Sequence, residues 1–318
     1  MRNRLTLALL IGTLAFGGVA CTRMRSAPAD LPIHRMEHAD LERNYRLIVP
    51  ASYDTATPMA LVLALHGGGG NGEEMCSLPG GIQELAESEG FIVTCPDAVE
   101  DHWNDGRGNE QYRSQAEDID DVGFLLALVE RLSEDYNVDP ARIYVTGASN
   151  GGMMTQRLAC EASTVFAAAA VVIASQPVNL DCLPGRPISI LFMNGTDDPL
   201  MPYQGGQVRF YRQELGEVLS TRETVTFWAG VNGCDPAPVT EMLPDLDPED
   251  GTRIRLDAYF GCDQGSRVLL YTMQGGGHTW PGGSRYLPRS VIGRVSRDLK
   301  ANAVIWTFFV VSRRERLQ

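Results

Sequence analysis

Gly147-Ala148-Ser149-Asn150-Gly151 flanks a serine with glycines, directly after the β-prone run Arg142-Ile143-Tyr144-Val145-Thr146. A helix-compatible stretch, Met153 to Cys160, follows. A tight strand-to-helix reversal crowds the backbone, excludes neighbouring Cβ atoms and pushes the serine hydroxyl into the open. Such a serine attacks a carbonyl once a base takes its proton and a third group fixes the base's tautomer. The chain has five histidines, His34, His38, His66, His102 and His278. The first two fall in an N-terminal leader, and His66 and His102 precede the serine. His278 lies in Gly275-Gly276-Gly277-His278-Thr279-Trp280-Pro281-Gly282-Gly283, just after the β-prone Val268 to Met273. A loop there carries a base back over a sheet, so His278 is the candidate base. The acid belongs between serine and histidine, and Gly195-Thr196-Asp197-Asp198-Pro199 offers two carboxylates. Asp198 is the first choice and Asp197 the second. No further ligands cluster with them in the sequence, so neither a metal nor a cofactor is expected.

The loop His66-Gly67-Gly68-Gly69-Gly70-Asn71-Gly72 follows the apolar run Met59 to Leu65. A phosphate cradle needs different glycine spacing or a lysine, and neither is present. An oxyanion loop needs backbone that can approach the nucleophile and donate an N–H, which fits. The Gly68 and Asn150 amides are the expected donors, and His66 is read as shaping the loop. Trp280, beside the base, and Trp103, in the loop from Asp101 to Gly108, are candidate substrate-binding walls. Met153 and Met154 are read as packing under the elbow helix.

The elements that must position these groups alternate. Strands are expected at Tyr45–Pro50, Met59–Leu65, Phe91–Pro96, Ile188–Met193, Glu223–Trp228 and Val268–Met273, with Val165–Ser175 as a buried strand or strand-adjacent segment. Helices are expected at Gly81–Glu89, Ile119–Leu132, Gln204–Leu219 and Leu299–Val310, with residues 235–253 as a Pro- and Asp-rich surface excursion. Apolar strands alternating with helices imply an α/β fold with a mostly parallel central sheet and helices on both faces.

Arg2 and Arg4, the apolar Leu5 to Phe16 and the small triplet Gly18-Val19-Ala20 read as an export signal over residues 1–21. Cys21 follows that triplet as in a lipoprotein box, although Gly18 stands where leucine is usual. Residues 22–40 are expected to be a flexible leader and 41–318 a single catalytic domain. An exported protein, secreted, periplasmic or lipid-anchored at Cys21, is the expectation. Besides Cys21 there are six cysteines, and proximity favours Cys76–Cys95, Cys160–Cys182 and Cys234–Cys262 as bridges. The net charge of −13 argues against a nucleic-acid partner. An ester substrate is the expected partner, and the sequence leaves the oligomeric state unknown.

Five segments together resemble a known group: LALHGGGGNG (63–72), DVGFL (121–125), YVTGASNGGMM (144–154), NGTDDPLMPYQGG (194–206) and GGGHTWPGG (275–283). They are similar to the exported α/β-hydrolase esterases spanning polyhydroxybutyrate depolymerases and the feruloyl or acetylxylan esterases of carbohydrate esterase family 1. The resemblance implies an α/β-hydrolase fold and a serine carboxylic-ester hydrolase. It implies Ser149 as nucleophile, Asp198 as acid, His278 as base, and Gly68 and Asn150 as oxyanion donors. Asn194 stands where many relatives have histidine. No separate polymer-binding module is visible. A feruloyl or related polysaccharide acyl esterase is the preferred reading, with hydrolysis of polyhydroxybutyrate or 3-hydroxyalkanoate oligomers as the alternative. Peptidase activity on the same fold ranks below both. A non-catalytic envelope binding protein on a degenerate hydrolase fold is the rival from another class, and a missing acid or base would favour it.

Overall fold

The computed structural model describes residues 31–77 and 81–314. The expected signal segment and Cys21 lie outside the described residues. The chain opens with an antiparallel pair, β1 (Ile33–His38) and β2 (Leu41–Ile48). β1 falls within the expected leader, and its alternating exposure pattern is that of an edge strand with one face half covered. β3 (Met59–Leu65) is buried throughout, as its unbroken apolar run requires. It leads into α1 (Gly72–Ser77), α2 (Ile82–Glu89) and β4 (Ile92–Pro96). A short α3 (Arg113–Ala116) precedes α4 (Asp121–Asp135), whose cap residue Asp120 accepts from the Gly123 amide at 2.8 Å. Then come β5 (Val138–Ala148), α5 (Asn150–Glu161), β6 (Ala168–Val172) and β7 (Ser189–Gly195).

The next stretch reverses two expectations. Gln204–Leu219 is a β-hairpin, β8 (Gly206–Phe210) and β9 (Gln213–Val218). Gly205, Gly206 and Gly216 hold φ angles of 79°, 106° and 94°, outside the helical region. Glu223–Trp228 lies inside helix α6 (Thr221–Val231). A capping box at Ser220 and Glu223 starts that helix, and Val225, Trp228 and Ala229 share its buried face. The β preference of Thr, Val, Phe and Trp yields there to the cap and to packing. The chain ends through β10 (Val239–Met242), β11 (Arg253–Tyr259), β12 (Val268–Gln274), α7 (Arg289–Ile292) and α8 (Ala301–Val311). β10 is exposed along its length, in keeping with a surface excursion.

A ten-stranded sheet runs in the order β1-β2-β4-β3-β5-β6-β7-β12-β11-β10. Neighbours from β4 through β12 are parallel, and both edges are antiparallel. Strand alternation divides the core between the two faces. Leu61, Leu63, Val145, Val171 and Phe192 pack on the α4, α5 and α6 side. Val62, Tyr144, Val172, Leu191 and Met193 pack toward α1, α2 and α8. This is the α/β-hydrolase arrangement, with helices on both faces of a mostly parallel sheet.

The three bridges are Cys76–Cys95, Cys160–Cys182 and Cys234–Cys262, as proximity suggested. They close loops with sequence separations of 19, 22 and 28. In the chain-entropy account each loop of this size adds about 3 kcal/mol by restricting the unfolded chain. Among the described residues no helix is long and apolar enough to cross a membrane.

Candidate active site

All the chemistry-bearing loops leave the carboxyl ends of parallel strands, where open α/β sheets form their sites. β3 delivers the glycine loop, β5 delivers Ser149, β7 delivers Asp198 and β12 delivers His278. β7 and β12 are direct neighbours, with Asn194 opposite Thr272 and Gly195 opposite Met273, so the acid and histidine loops emerge side by side.

Ser149 holds φ 54° and ψ −118°, a strained conformation for a residue with a side chain. Its amide donates to the Val172 carbonyl at 3.0 Å and its carbonyl accepts from Met153 at 2.9 Å, so the reversal is held from both sides. The flanking glycines are sterically required. A Cβ on Gly147 would collide with the Gly151 carbonyl, and one on Gly151 with the carbonyl oxygens of Leu65 and His66. Backbone cannot yield as a flexible side chain does. Gly151→Ala is therefore expected to destabilise the fold by about 1–3 kcal/mol, the usual overpacking cost. Denaturant unfolding of the purified variant measures this, and an unchanged midpoint would contradict the packing argument.

Asp198 and His278 meet in a buried contact. The His278 Nδ1–H donates to Asp198 Oδ2 at 2.7 Å, and the two side chains are only 3% and 2% exposed. Asp198 Oδ1 accepts from the amides of Leu200 and Met201 at 2.9 and 2.8 Å, which fixes the carboxylate plane. Asp197, the second choice, points elsewhere: its side chain is 56% exposed and lies 3.5 Å from Arg294. The His278 backbone is anchored by its own amide to the Ile292 carbonyl at 2.6 Å. Asn194 is a buried clamp, exchanging bonds of 3.0 Å with the Ala174 amide and carbonyl and donating to Thr221 Oγ1.

The glycine loop lies against the elbow: a Cβ on Gly67 would stand 3.5 Å from the Ser149 Cβ, and one on Gly68 3.6 Å from the Asn150 Cβ. Among the described residues no acceptor takes the Gly68 amide. Asn150 opens α5, so its amide belongs to the unpaired first turn, where the helix dipole favours negative charge. The two amides expected to donate thus lie beside the serine. His66 has the loop-shaping position read from the sequence. Its Nδ1–H donates to the Gly67 carbonyl at 2.8 Å and its Nε2 accepts from the Ala98 amide at 3.0 Å. Burial holds its pKa below the ordinary imidazole value, so it stays neutral.

Both tryptophans expected at the substrate wall are buried. Trp103 is 0% exposed, and its Nε1–H donates to the His66 carbonyl at 3.0 Å. Trp280 is 8% exposed and packs in the core with Leu299, Ala301, Ile305 and Phe308. Loops carrying a large apolar ring bury it wherever the sheet face offers room, and here that is inward.

Several neighbours escaped sequence reasoning. The Asn150 side chain is clamped, with Oδ1 accepting from the Trp103 amide at 2.7 Å and Nδ2 donating to the Trp103 carbonyl and to Asp105 Oδ2. Asp105 is fully buried and paired with Arg107 at 2.9 Å, which in turn reaches the Leu215 carbonyl on β9. Tyr286 has an exposed ring but donates its hydroxyl to the His278 carbonyl at 3.1 Å. Burial of that hydroxyl, with the Asp198 charge adding to it, raises its pKa and keeps it a donor. The His102 ring edge lies against Gly68. Only its place beside the glycine loop in space reveals it. Among the described residues no cluster of His, Cys, Asp and Glu could hold a metal ion.

Comparison with known proteins follows the same lines. The prolyl oligopeptidase family model matches residues 83–181, which include the elbow. The candidate esterase NocK of Nocardia uniformis subsp. tsuyamanensis is 31% identical over 329 residues, covering 94% of each chain. Feruloyl esterase C of Emericella nidulans is 27% identical, covering 74% of this chain and 76% of its own. Acetyl xylan esterase from Aspergillus awamori superposes with a TM-score of 0.52 at 20% identity, covering 74% of this chain and 89% of its own, a likeness of fold. With a relative this similar along nearly its whole length, and with this sheet and these loops, the chain belongs to the α/β-hydrolase esterase superfamily.

Proposed function

We propose that this protein is a serine carboxylic-ester hydrolase working through an acyl-enzyme on Ser149. The observation that carries this reading is the buried 2.7 Å contact between His278 and Asp198, on loops from neighbouring strands. The pair supports this reading because an orienting carboxylate on Nδ1–H leaves Nε2 free to act as the base. In the proposed reaction His278 Nε2 takes the Ser149 proton as Oγ attacks the ester carbonyl. The amides of Gly68 and Asn150 receive the developing oxyanion. Protonated His278 gives its proton to the departing alcohol, and Asp198 stabilises the imidazolium while it exists. Water then attacks the acyl carbonyl by the same route, releasing the acid and restoring the serine.

For the substrate, the proposal is a feruloyl or related acyl ester of a polysaccharide. Similarity to feruloyl esterases such as that of Emericella nidulans, 27% identical across 74% of this chain, supports it. The match to the prolyl oligopeptidase family covers 83–181 alone, short of both Asp198 and His278, and gives a peptidase reading little support. The exported location, with or without a lipid on Cys21, and a single catalytic domain over 41–318 belong to the same proposal.

Purified protein assayed in parallel on methyl ferulate, acetylated xylan and 3-hydroxybutyrate oligomers tests the substrate class. Turnover of either of the first two at a higher kcat/KM than the oligomers is expected. Activity confined to the oligomers would replace the proposed substrate with a hydroxyalkanoate.

A further inference from the structure

Two successive non-glycine residues, Glu100 and Asp101, hold φ angles of 46° and 60°. Each such residue costs about 1–3 kcal/mol and persists only where its surroundings over-determine it. Here the surroundings are the glycine loop and the elbow. The Gly69 amide donates to the Asp101 carbonyl at 2.9 Å, and the Trp103 amide donates to Asn150 Oδ1 at 2.7 Å. Between these two anchors the strained turn presents a single side chain, His102.

The imidazole edge of His102 lies against Gly68. A Cβ on Gly68 would stand 2.9 Å from Cδ2 and 3.0 Å from Nε2 of that ring. Glycine at position 68 therefore lets this ring edge come up to the proposed oxyanion donor. One ring face stacks on Tyr112 with centroids 3.7 Å apart and planes 13° apart, which fixes the ring's tilt. Nδ1 lies 3.1 Å from the Glu100 carbonyl oxygen. A carbonyl only accepts, so in the neutral ring the proton sits on Nδ1 and Nε2 carries a lone pair. Burial, the largest influence, holds the ring's pKa below the ordinary value and favours that neutral form.

An Nε2 lone pair repels an oxyanion, so His102 is no third donor to the hole. Among the described residues nothing donates to it. A half-buried acceptor beside the proposed oxyanion donor is matched by a hydrogen-bond donor on the substrate. Building on the ester-hydrolase reading of Ser149, we propose that His102 is a specificity-determining residue. Its Nε2 accepts a hydrogen bond from a substrate hydroxyl on a carbon close to the scissile ester. Two sources carry such a hydroxyl: the alcohol side, as in a sugar ester with a neighbouring ring hydroxyl, and the acyl side, as in a 3-hydroxyacyl ester. The acceptor chemistry is the same for both.

Matched ester pairs separate the two sources. Methyl 3-hydroxybutyrate against methyl butyrate probes the acyl side, and glycerol 1-acetate against propyl acetate probes the alcohol side. His102→Phe keeps a flat ring for Tyr112 and removes the acceptor. It is expected to lower kcat/KM for the hydroxylated member of one pair by about tenfold, the worth of one neutral hydrogen bond. The plain ester of that pair should change less than about twofold, and the pair that responds names the side. His102→Gln, which restores an acceptor oxygen, is expected to recover part of the preference, and thermal unfolding of both variants checks the fold. Equal losses on both members of each pair, or an unchanged preference in both, would overturn the role of His102. Turnover of the plain esters by Ser149→Ala is a separate readout: its persistence would sink the ester-hydrolase reading itself.

Discussion

Ser149→Ala is expected to lower kcat for any ester the protein hydrolyses by roughly 10⁴–10⁶-fold, with KM little changed. The magnitude follows from what is removed. The substitution deletes the oxygen proposed to form the acyl-enzyme, while the Gly68 and Asn150 amides stay in place. Binding therefore survives and the covalent step does not. Alanine carries the same Cβ as serine, so the strained φ of 54° is no worse for it, and the elbow's backbone bonds to Val172 and Met153 are untouched. The unfolding midpoint should accordingly match the parent's. Steady-state kinetics over a range of ester concentrations makes the measurement. A loss smaller than about tenfold would mean that a water or another residue does the attacking.

Asp198→Asn is expected to cost about 10³–10⁴-fold in kcat, and the reason lies in how the carboxylate is held. Its Oδ1 already accepts from the Leu200 and Met201 amides at 2.9 and 2.8 Å. An asparagine keeps its carbonyl oxygen on those donors and turns its NH₂ group toward His278. Nδ1 must then accept instead of donate, which puts the ring proton on Nε2. Nε2 cannot take the serine proton in that tautomer. The geometry survives and the base is lost. Asp197→Asn is the internal control, because that carboxylate is 56% exposed and does not bond to His278. Its kcat should stay within about threefold of the parent, as for most exposed substitutions away from the chemistry. Comparable losses in the two variants would show that charge near the loop, not tautomer control, is what matters.

The site's frame was legible in the sequence because it is written in local steric demands. Gly147 and Gly151 are glycines because backbone oxygen fills the space of their Cβ atoms, and the pentapeptide records that directly. The order of Ser149, Asp198 and His278 along the chain, each after an apolar strand, fixed which loops converge. Asp198 was preferred to Asp197 from the sequence, and the coordinates add the physical reason: Asp198 turns inward to His278 while Asp197 turns outward to Arg294. What failed was tertiary in origin. A tryptophan next to a candidate base reads as a wall or as packing, and the α8 side of the sheet had room for Trp280. Gln204–Leu219 and Glu223–Trp228 exchanged their expected forms because glycine dihedrals and a capping box outweighed side-chain propensity. β1 was missed because a polar edge strand has little apolar pattern to betray it. His102 and Asp105 were invisible for another reason. Their meaning comes from Gly68 and Asn150, which are remote in sequence and adjacent in space.

Covalent trapping reads the nucleophile itself. The protein is treated with a fluorophosphonate that phosphonylates activated serines, and its intact mass and proteolytic peptides are then measured. A single adduct on the peptide containing Ser149 is expected, absent from Ser149→Ala and formed far more slowly in His278→Ala. An adduct on a different serine, or none while the protein still hydrolyses esters, would contradict Ser149 as the nucleophile.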